Sequence, residues 1–253
     1  MSEYRIVLLA QEGLSTSILF HAINENYPID HVILEEPESS LKFITRRIKR
    51  LGYRKVLGQL AFMIFQRVFL KPRAGKRRRQ ILENNHLNTD PIPNDRITIV
   101  PSCNSEACRD LLQSISPTLV LINGTRIISN KTIQSSNCPL INIHAGITPK
   151  YRGVHGGYWA LRNGEPQLCG VSLHIIDEGI DTGAVIDQAL ISITPDDSFL
   201  TYPLLQLSKG LELLKKHIPD LLSGKFDIKQ PMTKESALWY HPTIWSYLAS
   251  KVK

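Results

Sequence analysis

The run YRIVLLAQEGLSTSILFHAINENYPIDHVIL, residues 4–34, decides the fold. Residues 4–10 are short and apolar and read as a buried strand. Residues 11–16 form a turn in which Ser15 or Thr16 can cap a helix. Residues 17–24 supply that helix, and residues 30–34 a second strand. A strand, a helix and a strand joined by such short connections predict a right-handed parallel crossover, and so an α/β chain with a doubly wound, mostly parallel sheet.

The same alternation resumes further on. Strands are expected at 97–100, 118–122 and 140–143, with a helix at 106–114 and a short helix after the loop at Gly124–Ile128. Val171, Leu173 and Ile175 alternate with polar neighbours, which marks a half-buried strand. A Gly- and Asp-rich turn follows at 177–183, and the chain returns as a strand over 184–193. Residues 199–222 carry a helical apolar pattern, with Pro203 expected to delay its start and Pro219 to break it. The catalytic domain is expected over 1–225, and residues 226–253 form a tail packed on it.

At 253 residues and 42% hydrophobic, the chain can bury a sizeable core and is not disordered by composition. The apolar run at 6–10 is too short for a signal-peptide core, and no run is long enough to span a membrane. The cytoplasm is the expected location. Cys103, Cys108, Cys138 and Cys169 lack a C-x-x-C spacing and are expected to be reduced, with no metal site. The net charge of +7 is unevenly spread, because residues 42–79 hold 14 Lys or Arg and no Asp or Glu. Outside them, 16 basic residues face 23 acidic ones. The apolar residues of this segment have helical spacing, so a basic helical pair is expected as an insert at about 40–85. Pro72 and Gly75 should end it.

Asn142 and His144 stand two apart at the end of an apolar run, so in an extended chain they project on the same side. Asp181 comes from the later turn. An amide aimed at a developing oxyanion contributes roughly 3 kcal/mol. A positioned imidazole adds roughly 10²–10⁴-fold by proton transfer. A carboxylate can accept the proton of an attacking amine or orient the imidazole. Together the three suit acyl transfer to an amine, whereas Asn-x-His or Asp-x-Gly alone is an ordinary strand end or turn.

The run INIHAGITPKYRG…YWAL…GVSLHIIDEGIDTGAVIDQ resembles the formyltransferases that use N10-formyltetrahydrofolate, a family that includes glycinamide ribonucleotide, methionyl-tRNA and sugar-nucleotide members. The resemblance covers residues 118–195, weakens over the N-terminal strands and is absent over 40–90 and beyond about 225. It implies a Rossmann-like formyltransferase fold, with Asn142, His144 and Asp181 as the catalytic triad and His174 as a support of the Asp181 loop. It further implies a folate cleft between Arg126-Ile127-Ile128 and the loop of Asp177, Glu178, Gly179 and Ile180. The preceding Asn123-Gly124-Thr125 departs from the family pattern. For Ile127 and Ile128, core packing is an equally good reading.

The acceptor is less legible. The turn of Gly13, Ser15 and Thr16 can hold a phosphate through backbone N–H groups, or it can be a capped helix start without a ligand. Its spacing departs from the Gly-Ser-Asn loop of the purine-pathway members. The residues after Lys225 are too few for the barrel that methionyl-tRNA members carry, so nucleic acid is not favoured, although the basic insert argues the other way. The layout is closest to the sugar-nucleotide members. Lys150, Arg152 or residues of the basic insert would then pair with a diphosphate. Trp239 and Tyr240 would stack on the base or, as the favoured reading, pack the tail. The expected partner is a small amine on a nucleotide-linked sugar. An amino acid, glycinamide ribonucleotide or methionyl-tRNA, or a non-catalytic polyanion-binding role, are the alternatives. For the insert a solvated hairpin is favoured, with an anionic membrane surface or a homodimer contact also open.

Overall fold

The alternation read from residues 4–34 is present in the computed structural model, which describes residues 4–250. In chain order the strands are β1 (Ile6–Gln11), β2 (Ile29–Glu35), β3 (Ile97–Val100), β4 (Leu119–Asn123), β5 (Leu140–His144), β6 (Arg152–Gly153), β7 (Gly170–Ile175), β8 (Val185–Leu190) and β9 (Leu238–Trp239). The α-helices are α1 (Leu14–Asn24), α2 (Ser40–Leu51), α3 (Tyr53–Phe65), α4 (Lys71–Asn84), α5 (Glu106–Ile115), α6 (Asn130–Gln134), α7 (Gly156–Arg162), α8 (Tyr202–Ser223) and α9 (Ile244–Leu248). Seven strands form one sheet in the order β3-β2-β1-β4-β5-β7-β8. The first five are parallel, and β7 lies antiparallel to both β5 and β8.

Strand periodicity divides the core into two layers. Ile6, Leu8 and Ala10 of β1 face the side covered by α1 and α8, while Val7 and Leu9 face the α5 side with Cys103, Cys108 and Leu112. The same rule sorts β5. Ile141 and Ile143 pack with the α1–α8 layer, and Leu140 joins the α5 layer. Asn142 and His144 share the parity of Leu140 and continue its face to the C-terminal edge of the sheet.

The basic segment differs from the expected helical pair. It holds three α-helices, with a π-helical turn, Gln66–Leu70, joining α3 to α4. The helical path runs on through Pro72 and Gly75 to Asn84. Pro72 stands in the first turn of α4, where its missing N–H is tolerated, directly after the wider turn. Likewise α8 passes through Pro219 and ends at Gly224, whose φ of 69° forms its left-handed C-cap. Pro203 does sit at the start of α8. The tail is anchored by aromatic rings. Trp239 stacks against Tyr151 and Trp159 at 5.8 and 4.8 Å, Tyr247 packs with Phe62, and β9 pairs with β6. All four cysteines are free, and burial raises the thiols of Cys103 and Cys169 to about 12.

Candidate active site

Asn142 lies opposite His174 across the β5–β7 ladder, and that register makes the first link of the site. His174 is almost fully buried at 1% exposure. Burial, then the neighbouring His144, holds its imidazole below the ordinary histidine range, so it is neutral at pH 7. Its Nδ1 lies 2.8 Å from the Ile175 carbonyl and must carry the proton. Nε2 is therefore an acceptor and takes a hydrogen bond of 3.2 Å from Asn142 Nδ2. One amide hydrogen of Asn142 is thus fixed, and the other is left to point into the cleft.

His144 is held from both ends. Its Nε2 donates to the Tyr151 carbonyl at 2.7 Å, and its Nδ1 lies 3.3 Å from Asp181 Oδ1. Gly146 makes the tight return possible, since a Cβ there would stand 2.9 Å from His144 Nε2 and overlap the Tyr151 carbonyl. Asp181 adopts φ 51°, a left-handed conformation that Asp tolerates better than most residues. Its Oδ2 accepts the Gly153 N–H at 2.8 Å, and Arg152 Nη1 donates to the Ile180 carbonyl at 3.1 Å. Within the same loop Asp177 Oδ1 accepts from Gly179 N and Thr182 Oγ1. The carboxylate is clamped against the imidazole by two neighbours, Arg152 and Gly153, that come from β6.

Two cavities meet at this end of β5. The first, about 410 Å³, is lined by Arg126, Ile127, Ile128, Asn142, His144, Asp177, Gly179, Ile180 and Asp181. Glu178 is exposed beside it and outside its lining. Ile128 is core at 5% exposure, whereas Ile127 is 57% exposed at the cleft wall. Arg126 is tied down by the carbonyls of Pro101 and Glu36, and buried Glu35 accepts its backbone N–H at 2.6 Å. The second cavity, about 460 Å³, lies on the α1–α8 face and is lined by Leu14, Ser15, Gln66, Arg78, Asn123, His155, Phe199 and Leu204, among others. Ile143 lines both.

The expected acceptor residues do not all converge there. Ser15 lines the second cavity and accepts from Asn123 Nδ2 at 2.9 Å. Thr16 is 2% exposed, its hydroxyl given to the Gln11 carbonyl, and Gly13 spends its carbonyl on the N–H groups of Thr16 and Ser17. Lys150 reaches neither cavity, because Glu165 and Glu235 each take its ammonium at 2.6 Å. Arg152 is the clamp on Ile180, away from both linings. Sequence reading missed Asn123, Gln66 and His155, and reached Arg78 only as one of the basic-insert residues that could meet a diphosphate. The polar residue closing apolar β4 was a usable signal for Asn123. Nothing in the run Lys76–Arg79 distinguishes Arg78 from its neighbours.

The chain matches a family model described as formyl transferase over residues 68–204, more than half of its 253 residues. It is 32% identical over 151 residues to methionyl-tRNA formyltransferase of Thermodesulfovibrio yellowstonii, covering 57% of this chain and 48% of that protein. The chain thus spans about half the length of that curated relative. A sugar N-formyltransferase from Shewanella superposes with a TM-score of 0.59 at 17% identity, over 93% of this chain and 76% of that one. An N-formyltransferase from Helicobacter canadensis, in complex with folinic acid and dTDP-3-aminofucose, gives 0.53 at 17% identity over 92% and 70%. At such identities the likeness to the two solved structures is one of fold.

Proposed function

The chain belongs to the formyl transferase family, and on that premise we propose that it moves a formyl group from N10-formyltetrahydrofolate to the primary amine of a nucleotide-linked amino sugar. The observation that carries this reading is the clamped set of Asn142, His144 and Asp181 between two cavities. The cleft with exposed Ile127 suits the flat ring of the folate, and the Helicobacter canadensis neighbour holds a folate analogue with a nucleotide-linked amino sugar. The free Asn142 N–H stabilises the oxyanion as the amine nitrogen bonds to the formyl carbon, and His144, held by the Tyr151 carbonyl, positions Asp181 beside it. Asp181 takes the proton lost by the amine, directly or through water. The bond from carbon to N10 then breaks, and N10 leaves with the proton that Asp181 took from the amine, returned directly or through water.

The second cavity supports an acceptor with an anionic group. Gln66 Nε2 is buried there without a hydrogen-bond partner, and among the described residues Arg78 makes no hydrogen bond or ion pair. Two unpaired donors beside Ser15 and Asn123 suit a phosphate, and the apolar wall of Phe199 and Leu204 suits the sugar or base.

The 32% identity to a methionyl-tRNA formyltransferase favours a second reading, with methionyl-tRNA as acceptor. An acceptor panel separates the two. Release of tetrahydrofolate is followed with nucleotide-linked amino sugars, glycinamide ribonucleotide, free amino acids and methionyl-tRNA. Turnover with a nucleotide-linked amino sugar is expected, with KM raised about 10–100-fold by Arg78→Gln, the range for a lost charged hydrogen bond. Turnover with methionyl-tRNA alone would replace the first reading by the second.

A further inference from the structure

The outer surface of the basic insert has no counterpart in the chemistry of the site. Helix α2 buries none of its side chains, and Leu41 and Ile48 on it are 81% and 41% exposed. Helix α3 packs inward through Val56, Gln59 and Phe62, with Gln59 Nε2 donating to the His241 carbonyl at 2.6 Å. On the opposite face Leu57, Ile64 and Val68 recur at helical spacing and are 63%, 66% and 55% exposed. The insert therefore turns one stripe to the core and presents a second apolar stripe to solvent. Residues 42–79 carry 14 cations and no carboxylate, of which Arg77 and Arg78 turn inward, to Asp197 and to the second cavity. Among the described residues only two of those cations meet a carboxylate, Arg46 with Glu38 and Arg77 with Asp197, while Arg73 donates to the Phe69 carbonyl and Arg47, Arg50, Arg54 and Lys55 lie over aromatic rings.

Three kinds of occupant could cover it, and the charge selects among them. A second copy in an isologous contact would press two cationic inserts without a carboxylate over 42–79 together. Nucleic acid would use the cations, but it binds through phosphates and stacked rings and gains little from exposed Leu, Ile and Val. An anionic bilayer surface satisfies both features, because apolar side chains enter the acyl boundary while Lys and Arg meet the headgroups. No helix among the described residues is long and apolar enough to cross a membrane, so the contact lies in the plane of the interface.

We propose that α2, α3 and the π-turn dock this protein onto an anionic lipid surface through Leu41, Ile48, Leu57, Ile64, Val68 and the surrounding Lys and Arg. Docking does not depend on which amine is formylated, and none of the five apolar residues named lines either cavity. The test is sedimentation of the full chain with phosphatidylcholine vesicles, with and without phosphatidylglycerol. Binding is expected only with phosphatidylglycerol present and should weaken as salt rises. The triple variant Leu57→Gln, Ile64→Gln, Val68→Gln changes only exposed positions. It should lower the partition coefficient at least about tenfold while leaving Tm and formyl transfer unchanged. The proposal is overturned by absence of binding to phosphatidylglycerol vesicles, or by equal binding of the triple variant. A dimer that the triple variant splits, or tighter binding to mixed-sequence RNA than to the vesicles, overturns it equally.

Discussion

Gly153 shows how closely the site depends on single backbone positions. It adopts φ 93°, and a Cβ there would overlap the Trp239 carbonyl, while its N–H is the donor that holds Asp181. Gly153→Ala is expected to destabilise the protein by about 1–3 kcal/mol and to lower kcat as Asp181 loses its anchor, checked by thermal melting and steady-state kinetics. In the proposed reaction His174 acts through Asn142, whose amide N–H it accepts at 3.2 Å, as a positioning residue. His174→Leu removes the acceptor that orients the amide and should reduce kcat at least about tenfold, with the folate KM unmoved. His174→Gln keeps an acceptor near the Nε2 position and should recover part of the rate. Equal loss in both variants would mean that His174 matters only as packing. That Asn142 and His144 share a face was legible from the parity of one strand end, whereas their grouping with Asp181 as a triad rested on the resemblance to the formyltransferases. Lys150 misled because it adjoins the motif in sequence. The carboxylates that occupy it, Glu165 and Glu235, come from segments whose approach no local pattern announces.

Among the elements, the strands and helices of the sheet were readable from apolar runs bounded by turns, and observed boundaries move by a residue or a few. The insert was not, because Pro72 reads as a stop whereas a wider helical turn at Gln66–Leu70 carries the chain through it. A comparable tie between elements is Asp187 on β8, which binds Lys216 and His217 of α8 and Lys229 of the tail. Burial pushes its carboxyl up, and the bonds from Lys229, His217 and Lys216 outweigh that and hold it well below the usual carboxylate range. A depressed folded pKa gives stability that is present above the unfolded value of about 3.9 and lost as pH falls through the folded one. Asp187→Asn should therefore destabilise the protein at pH 7 by about 1–2 kcal/mol, allowing for the exposed lysines. The gap in Tm between variant and parent should close as pH is lowered below about 4. A gap that widened on acidification would reverse the assignment.

At the scale of the whole molecule, the parallel sheet brings the ends of β4 and β5 to one edge. The antiparallel β7 carries His174 and the Asp181 loop back to that edge. Charge is segregated on the same body: a cationic insert on one flank and a net-acidic remainder that holds the triad. The thiols report on the integrity of this body. Cys103, Cys108 and Cys169 are buried and Cys138 is half-buried, and burial raises all four to about 11 or 12. Iodoacetamide at pH 7 should leave them unmodified in the folded protein and label them on unfolding, read by mass spectrometry. The central claim concerns the triad, and single-turnover formyl transfer at saturating N10-formyltetrahydrofolate tests it most directly. With an accepted amine, Asp181→Asn and His144→Ala should each lower the transfer rate by about 10²–10⁴-fold while both variants remain folded and bind folate. Transfer at the parental rate by either variant would contradict the account.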